Sequence, residues 1–312
     1  MEAESIHPQA QAVLDRQRKL GITPLHEHGV RRLRLLSRVT NWLQNRNPPA
    51  VGDTTDRTIP GPDGDLSVRS YRPRGEGPFP TVVFFHGGGY VMGSLASHDL
   101  LCRHLTRESG CVVLAVDYRL APEHPFPAAV EDAFRATEWA AANPDTLEAD
   151  GRLAVAGDSA GGTLAAVAAL MAAERGSPEI DHQVLFYPGI GIEDGQASVE
   201  DHAGIVLGKE DLEWFEDCYF GNEIHRRNPY ADPINACDLS GVPPATVITA
   251  GFDPLRDGGT AYAERLVGDG VPVRYDNYED MIHGFVGMPE SIDRATEALA
   301  DAATDLTHTF SS

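Results

Sequence analysis

Positive charge is what this chain most conspicuously lacks. Against 47 Asp and Glu there are 25 Lys and Arg, a formal net charge of -22 over 312 residues, and only Lys19 and Lys209 are lysines. Such a surface repels phosphate backbones and anionic headgroups, which argues against nucleic acid and membrane as partners. No apolar run approaches the roughly 18 residues of a membrane span, and the start Met1-Glu2-Ala3-Glu4-Ser5 lacks the basic and apolar regions of a signal peptide. A cytoplasmic protein is therefore expected. Cysteine is sparse as well: Cys102, Cys111, Cys218 and Cys237 show no C-x-x-C spacing and no clustering with histidine, so they read as small buried hydrophobes. Neither a metal nor a cofactor is expected. No linker divides the chain, and its 42% hydrophobic content suits one large α/β domain with insertions.

The acid excess with almost no lysine is the pattern of proteins that work in molar salt, where self-repulsion is screened and the carboxylate surface stays hydrated. A halophilic protein is the expectation.

Along the chain, Val13 and Leu14, then Leu33, Leu35, Leu36, Val39 and Leu43, sit at helical spacing and predict two or three helices before residue 45. Thr54–Ile59 and Leu66–Tyr71 flank a Pro, Gly and Asp turn and read as a hairpin. Buried strands are expected at Thr81–Phe85, Cys111–Val116, Leu153–Ala156, Gln183–Tyr187, Ala245–Ala250 and Val273–Tyr278. Helices alternate with them at 98–109, 128–142, 159–175, 259–267 and 292–306. The alternation predicts a mostly parallel sheet. Residues 189–240 break the rhythm and read as an insertion, with Trp214, Phe215, Tyr219 and Phe220 at helical spacing.

Two turns carry chemistry. Gly157-Asp158-Ser159-Ala160-Gly161 falls between an apolar strand and a helix of small residues, where a serine held on a strained turn stands clear of the sheet. His86-Gly87-Gly88-Gly89 follows another buried strand, and consecutive glycines leave backbone N–H groups free to converge on one point, as an oxyanion hole requires. A serine hydroxyl needs a base and the base needs a carboxylate. Asp253 and His283 leave late strands in the order Ser, acid, His, on the same sheet edge as Ser159. Asp257 is the rival acid; His182 and His202 are weaker candidates for the base because neither follows a late strand.

His86-Gly87-Gly88-Gly89, the run from Asp117 to Ala129, Gly157 to Gly162, Asp253-Pro254-Leu255-Arg256-Asp257 and His283-Gly284-Phe285 together resemble the signatures of the hormone-sensitive-lipase family of microbial carboxylesterases. The resemblance covers about 80 to 288. It implies an α/β-hydrolase fold with an eight-stranded sheet and a helical cap, residues 1–50 and 189–240 forming the cap over a core of 51–188 and 241–312. It implies Ser159 as nucleophile, His283 as base, Asp253 as its orienter, and Gly88, Gly89 and Ala160 as oxyanion-hole donors. Asp158 marks the branch with Asp rather than Thr before the serine, and Asp117 and Glu123 would support the site from behind. The expected activity is hydrolysis of small carboxylic esters through an acyl-enzyme. An amidase such as an arylformamidase could use the same residues. The plant gibberellin receptor resembles the family but lacks the histidine, which is present here as His283. A homodimer is left open.

Overall fold

The computed structural model describes residues 3–21, 24–44, 48–193 and 195–311. The first two residues of the acidic start, and the side chains of Val39 and Leu43, lie outside the described residues. Helices α1 (Pro8–Leu20) and α2 (Val30–Gln44) precede a hairpin of β1 (Asp53–Gly61) and β2 (Gly64–Arg72). Strand and helix then alternate through β3 (Phe79–Phe85), α3 (Asp99–Ser109), β4 (Val112–Val116), α4 (Ala128–Ala142), the short α5 (Pro144–Leu147), β5 (Ala149–Asp158), α6 (Ala160–Arg175) and β6 (His182–Phe186). The insertion carries α7 (Ala197–His202) and α8 (Lys209–Tyr219), after which β7 (Ala245–Phe252), α9 (Arg256–Gly268), β8 (Val273–Ile282) and α10 (Asp293–Ser311) follow.

All eight strands join one sheet, in the order β1-β2-β4-β3-β5-β6-β7-β8. The β1–β2 and β2–β4 pairings are antiparallel and the rest parallel. This is the α/β-hydrolase fold that the motifs imply. The central strands are apolar on both sides because both faces are covered. Val83, Phe85, Leu114 and Val155 point into one cluster with α4, α6 and α9, while Val82, Phe84, Val113 and Ala154 point into another with α1, α3 and α10. Each such Val, Leu or Phe side chain contributes roughly 1.5–3 kcal/mol when fully buried. Alternation along one strand thus feeds two cores.

Three details depart from the sequence reading. Strand β8 runs on to Ile282, through residues expected to be loop, because Phe252 pairs with Ile282 beyond a register shift at Gly251. A Cβ on Gly251 would lie 1.9 Å from the Glu279 carbonyl oxygen, so only glycine admits this close approach. Helix α9 starts a turn early, at Arg256. The cysteines are all free, but Cys237 is exposed and Cys218 half-buried, contrary to the expectation of burial. Ala236 and Leu239 fill the core beside Cys237, whose side chain turns outward.

Candidate active site

The strand order reverses between β3 and β5, and the crevice outside their carboxyl ends is where an open α/β sheet binds ligands. Phe85 is paired with Gly157, so the loop after β3 and the turn after β5 emerge side by side. Ser159 sits at that turn with φ 54° and ψ -123°, a left-handed conformation costing on the order of 1–3 kcal/mol. Packing overrides the cost. A Cβ on Gly157 would meet the Gly161 carbonyl oxygen at 2.1 Å, and one on Gly161 would meet that of Phe85 at 2.0 Å. Strand and helix are pressed backbone to backbone, and the serine is forced outward. Every residue of α6 from Ala160 to Ala172 is buried, which fixes the helix behind it.

Three distant residues meet there. His283 Nε2 lies 3.0 Å from Ser159 Oγ, and His283 Nδ1 lies 2.7 Å from Asp253 Oδ2. A carboxylate only accepts, so Nδ1 carries the proton and Nε2 offers its lone pair to the serine hydroxyl. Asp253 is 0% exposed, and its other oxygen accepts the Leu255 N–H at 2.9 Å. Tyr187 packs edge-on against the imidazole, ring centroids 4.9 Å apart. The arrangement can move a proton from serine to histidine while a buried negative charge steadies the imidazolium.

The rejected candidates are engaged elsewhere. Asp257 accepts the Ser198 N–H at 2.8 Å and the Arg256 Nε–H at 2.9 Å. Burial alone would raise its carboxyl, but those two partners outweigh it and hold it below the usual range. His182, buried between Thr246 and Thr309, is pushed down to about 4 by burial. His202 packs on Phe252 beside Arg256.

Gly88 and Gly89 both have positive φ, 122° and 58°, and line the same cavity as Ala160 and Ser159. The cavity measures about 810 Å³. Its walls include Leu33 and Leu36 of α2, and Phe215 and Tyr219 of α8. The Phe215 ring lies on Gly89, where a Cβ would come within 2.3 Å of it, and Tyr219 stacks on Tyr90 at 3.8 Å. Of the aromatic cluster, Phe215, Tyr219 and Phe220 face the cavity.

Glu123 is exposed and pairs with Arg34 at 2.9 Å. Arg34 also donates to the carbonyls of Val91 and Ala121, both at 2.8 Å, so α2 is tied to the loop that follows the three glycines. Sequence reasoning missed Arg34 and His98, which lies against Asp158. A carboxylate placed next to a serine on a buried turn is a signal in itself, because it demands a partner.

A family profile described as alpha/beta hydrolase fold matches residues 82–287. Esterase LipI of Mycobacterium tuberculosis is 44% identical over 250 residues, 78% of each chain. Carboxylesterase NlhH of the same species is 40% identical over 251 residues, again 78% of each. Among solved structures, an esterase of Pyrobaculum calidifontis is 41% identical and superposes with a TM-score of 0.91, over 97% of this chain and 98% of that one.

Proposed function

The chain belongs to the hormone-sensitive-lipase family of α/β-hydrolase-fold carboxylic ester hydrolases, and from that premise we propose a serine esterase acting through Ser159, His283 and Asp253 on short-to-medium acyl esters. The observation that carries the reading is the unbroken line of hydrogen bonds from Asp253 through His283 to Ser159 at the floor of a largely apolar cavity. In this reading Ser159 Oγ attacks the acyl carbon while its proton passes to His283 Nε2, and the imidazolium then protonates the departing alkoxide. Water, deprotonated by the same nitrogen, releases the acid. The N–H groups of Gly88, Gly89 and Ala160 donate to the oxyanion; one such donor is worth about 10²–10³ in kcat. Ala160 opens α6, so its N–H is among those left free at a helix start.

Residues 1–50 and 189–240 form the cap in this reading, over a core of 51–188 and 241–312. A cavity of about 810 Å³ under a roof suits a small ester better than the surface of an emulsion. The test is a series of p-nitrophenyl esters from acetyl to palmitoyl, with the anilide of the best acyl group alongside. Turnover should peak at short-to-medium chains and vanish in Ser159→Ala. A peak at palmitoyl would overturn the chain-length assignment, and faster cleavage of the anilide would make the protein an amidase.

A further inference from the structure

Three consecutive glycines follow His86, yet the N–H of the first is already spoken for. Gly87 N–H donates to Asp158 Oδ1 at 2.8 Å, across the crevice between the ends of β3 and β5. The His98 Nε2 lies 3.1 Å from Asp158 Oδ1 and 3.3 Å from Oδ2, so a ring carrying its proton on Nε2 donates to the same carboxylate. We propose that Asp158 and His98 are positioning residues that hold the glycine loop in its donating geometry, leaving the N–H groups of Gly88 and Gly89 to the oxyanion. The proposal rests on the esterase reading above.

Both polar atoms of the 86–87 peptide are engaged. The Tyr118 hydroxyl donates to the His86 carbonyl at 2.7 Å, and His86 Nδ1 lies 2.9 Å from the Gly87 carbonyl oxygen, so its proton goes there. The rings stack in series: Tyr118 on His86 at 4.3 Å, His86 on His98 at 5.4 Å. His98 Nδ1 is in turn 2.8 Å from Ser97 Oγ. Contact is so close that a Cβ on Gly87 would lie 2.5 Å from Asp158 Oδ2. The Gly88 carbonyl accepts the N–H groups of Val91 and Met92 within the loop, while Asp158 fixes the loop's start at Gly87 from the neighbouring turn.

The pair also solves an electrostatic problem. Asp158 adjoins the nucleophile, and an uncompensated carboxylate there would oppose the negative charge that develops on the substrate oxygen. His98 and the Gly87 N–H offset it. Burial would raise the Asp158 carboxyl, but His98 and that N–H outweigh burial and keep it ionised below the ordinary range.

The test compares Asp158→Ala, Asp158→Asn, His98→Gln and the double variant Asp158→Asn/His98→Gln, using a p-nitrophenyl ester and an aryl trifluoromethyl ketone. Ser159 Oγ adds to the ketone carbon, its proton passes to His283, and the former carbonyl oxygen becomes an oxyanion in the hole. Asp158→Ala should lower kcat by about 10² with KM within about threefold, as for the loss of a hole donor. Affinity for the ketone should fall in parallel, and affinity for the corresponding secondary alcohol, which forms no oxyanion, should not change. Asp158→Asn keeps an acceptor for Gly87 and should lose only about tenfold. His98→Gln removes the histidine donor and leaves the Gly87 N–H to offset the carboxylate, so it should lose more, and adding Asp158→Asn should restore part of that loss. Recovery in kcat and in ketone affinity, with affinity for the alcohol unchanged, sets this role apart from a merely structural coupling. The proposal is overturned if folded Asp158→Ala stays within threefold of wild-type kcat, or if the loss falls equally on binding of the alcohol. It is also overturned if the double variant is no better than the product of the single losses. Should Asp158→Ala fail to fold, the other three variants decide. If the wild type cleaves no ester, the esterase reading fails; active wild type with an unaffected Asp158→Ala sinks the positioning role alone.

Discussion

The floor and the roof of the cavity are built on different principles. The floor consists of loops leaving β3, β5, β7 and β8, held by backbone contacts so tight that a single Cβ at Gly157, Gly161 or Gly251 would collide with a carbonyl oxygen. The roof is lined by residues of α1, α2 and α8, which pack through the buried Leu14, Leu33 and Phe215 and are tied down by side chains: Arg34 on the carbonyls of Val91 and Ala121, His26 on Asp211 at 2.8 Å, Gln9 on Asp293 at 3.0 Å. Backbone packing fixes atoms within tenths of an ångström, whereas a few polar side chains fix an element only loosely. The comparison teaches that chemistry and substrate choice can be altered separately. Changes in the floor should act on kcat, and changes in the roof on KM, stability and response to salt.

The largest expected effect is in the floor. Ser159→Ala should lower kcat by about 10⁶ with the thermal midpoint unchanged, because the hydroxyl supports no packing and acts with His283 as a unit. A purified, folded Ser159→Ala protein with wild-type turnover on a butyryl ester would remove the assignment. Next comes the acid: Asp253→Asn should cost about 10⁴ by disturbing the tautomer of His283, while Asp257→Asn should stay within about tenfold, since its partners are Ser198 and Arg256. The reverse order, both proteins folded, would show that the acid has been misassigned.

Roof variants should give smaller effects of a different kind. Arg34→Ala should cost about 2 kcal/mol through two charge-assisted bonds to carbonyls, and raise KM with little change in kcat. A fall in kcat at constant KM would mean that Arg34 belongs functionally to the floor. Asp211 caps the start of α8 and holds His26, and burial, which would raise its carboxyl, is outweighed by the Gly208 and His26 N–H groups and the His26 ring. Its folded value lies below the ordinary 3.8. The stabilisation is therefore complete above that pH and is lost as pH falls through the lower folded value. The stability gap between wild type and Asp211→Asn, of about 1 kcal/mol near neutrality, should close in that window. A gap independent of pH would show that the carboxylate charge plays no part.

Salt should produce the gentlest effect, a thermal midpoint that rises by a few degrees between 0.05 M and 3 M KCl. The Debye length is about 30 Å at 0.01 M and about 3 Å at 1 M, so carboxylate repulsion reaches across the molecule only in dilute salt. A rise that continues past the screening limit would reflect hydrated cations or salting-out of the core. A flat or falling midpoint would remove the halophile reading.

The floor was legible in the sequence down to single residues, and the roof only as helices. Strands buried on both faces are continuous apolar runs, and the glycines that permit close approach mark the turns, so Ser159, Asp253 and His283 could each be placed at a strand end. The eight strands followed from the same patterns. The extension of β8 was hidden because its cause is a carbonyl pressing on Gly251 from another strand. Arg34 and His98 escaped notice for a related reason, since each acts on a residue more than fifty positions away, and Phe215 was legible only as one of a helical row of aromatics, because helical spacing records that a face is covered and not by what.

Ser159 occupies the residue just ahead of α6, so the whole buried helix points its amino end at the reacting carbon. A helix presents about half an elementary positive charge at that end. From Ala160 to Ala172 the helix is enclosed in protein, and its amino end opens on the cavity. The acidic surface and this dipole therefore meet solvent differently, one over the whole exterior and the other only where the helix opens on the cavity. A protein arranged in this way spreads its negative charge over the exterior and brings a positive helix end to one point of the cavity.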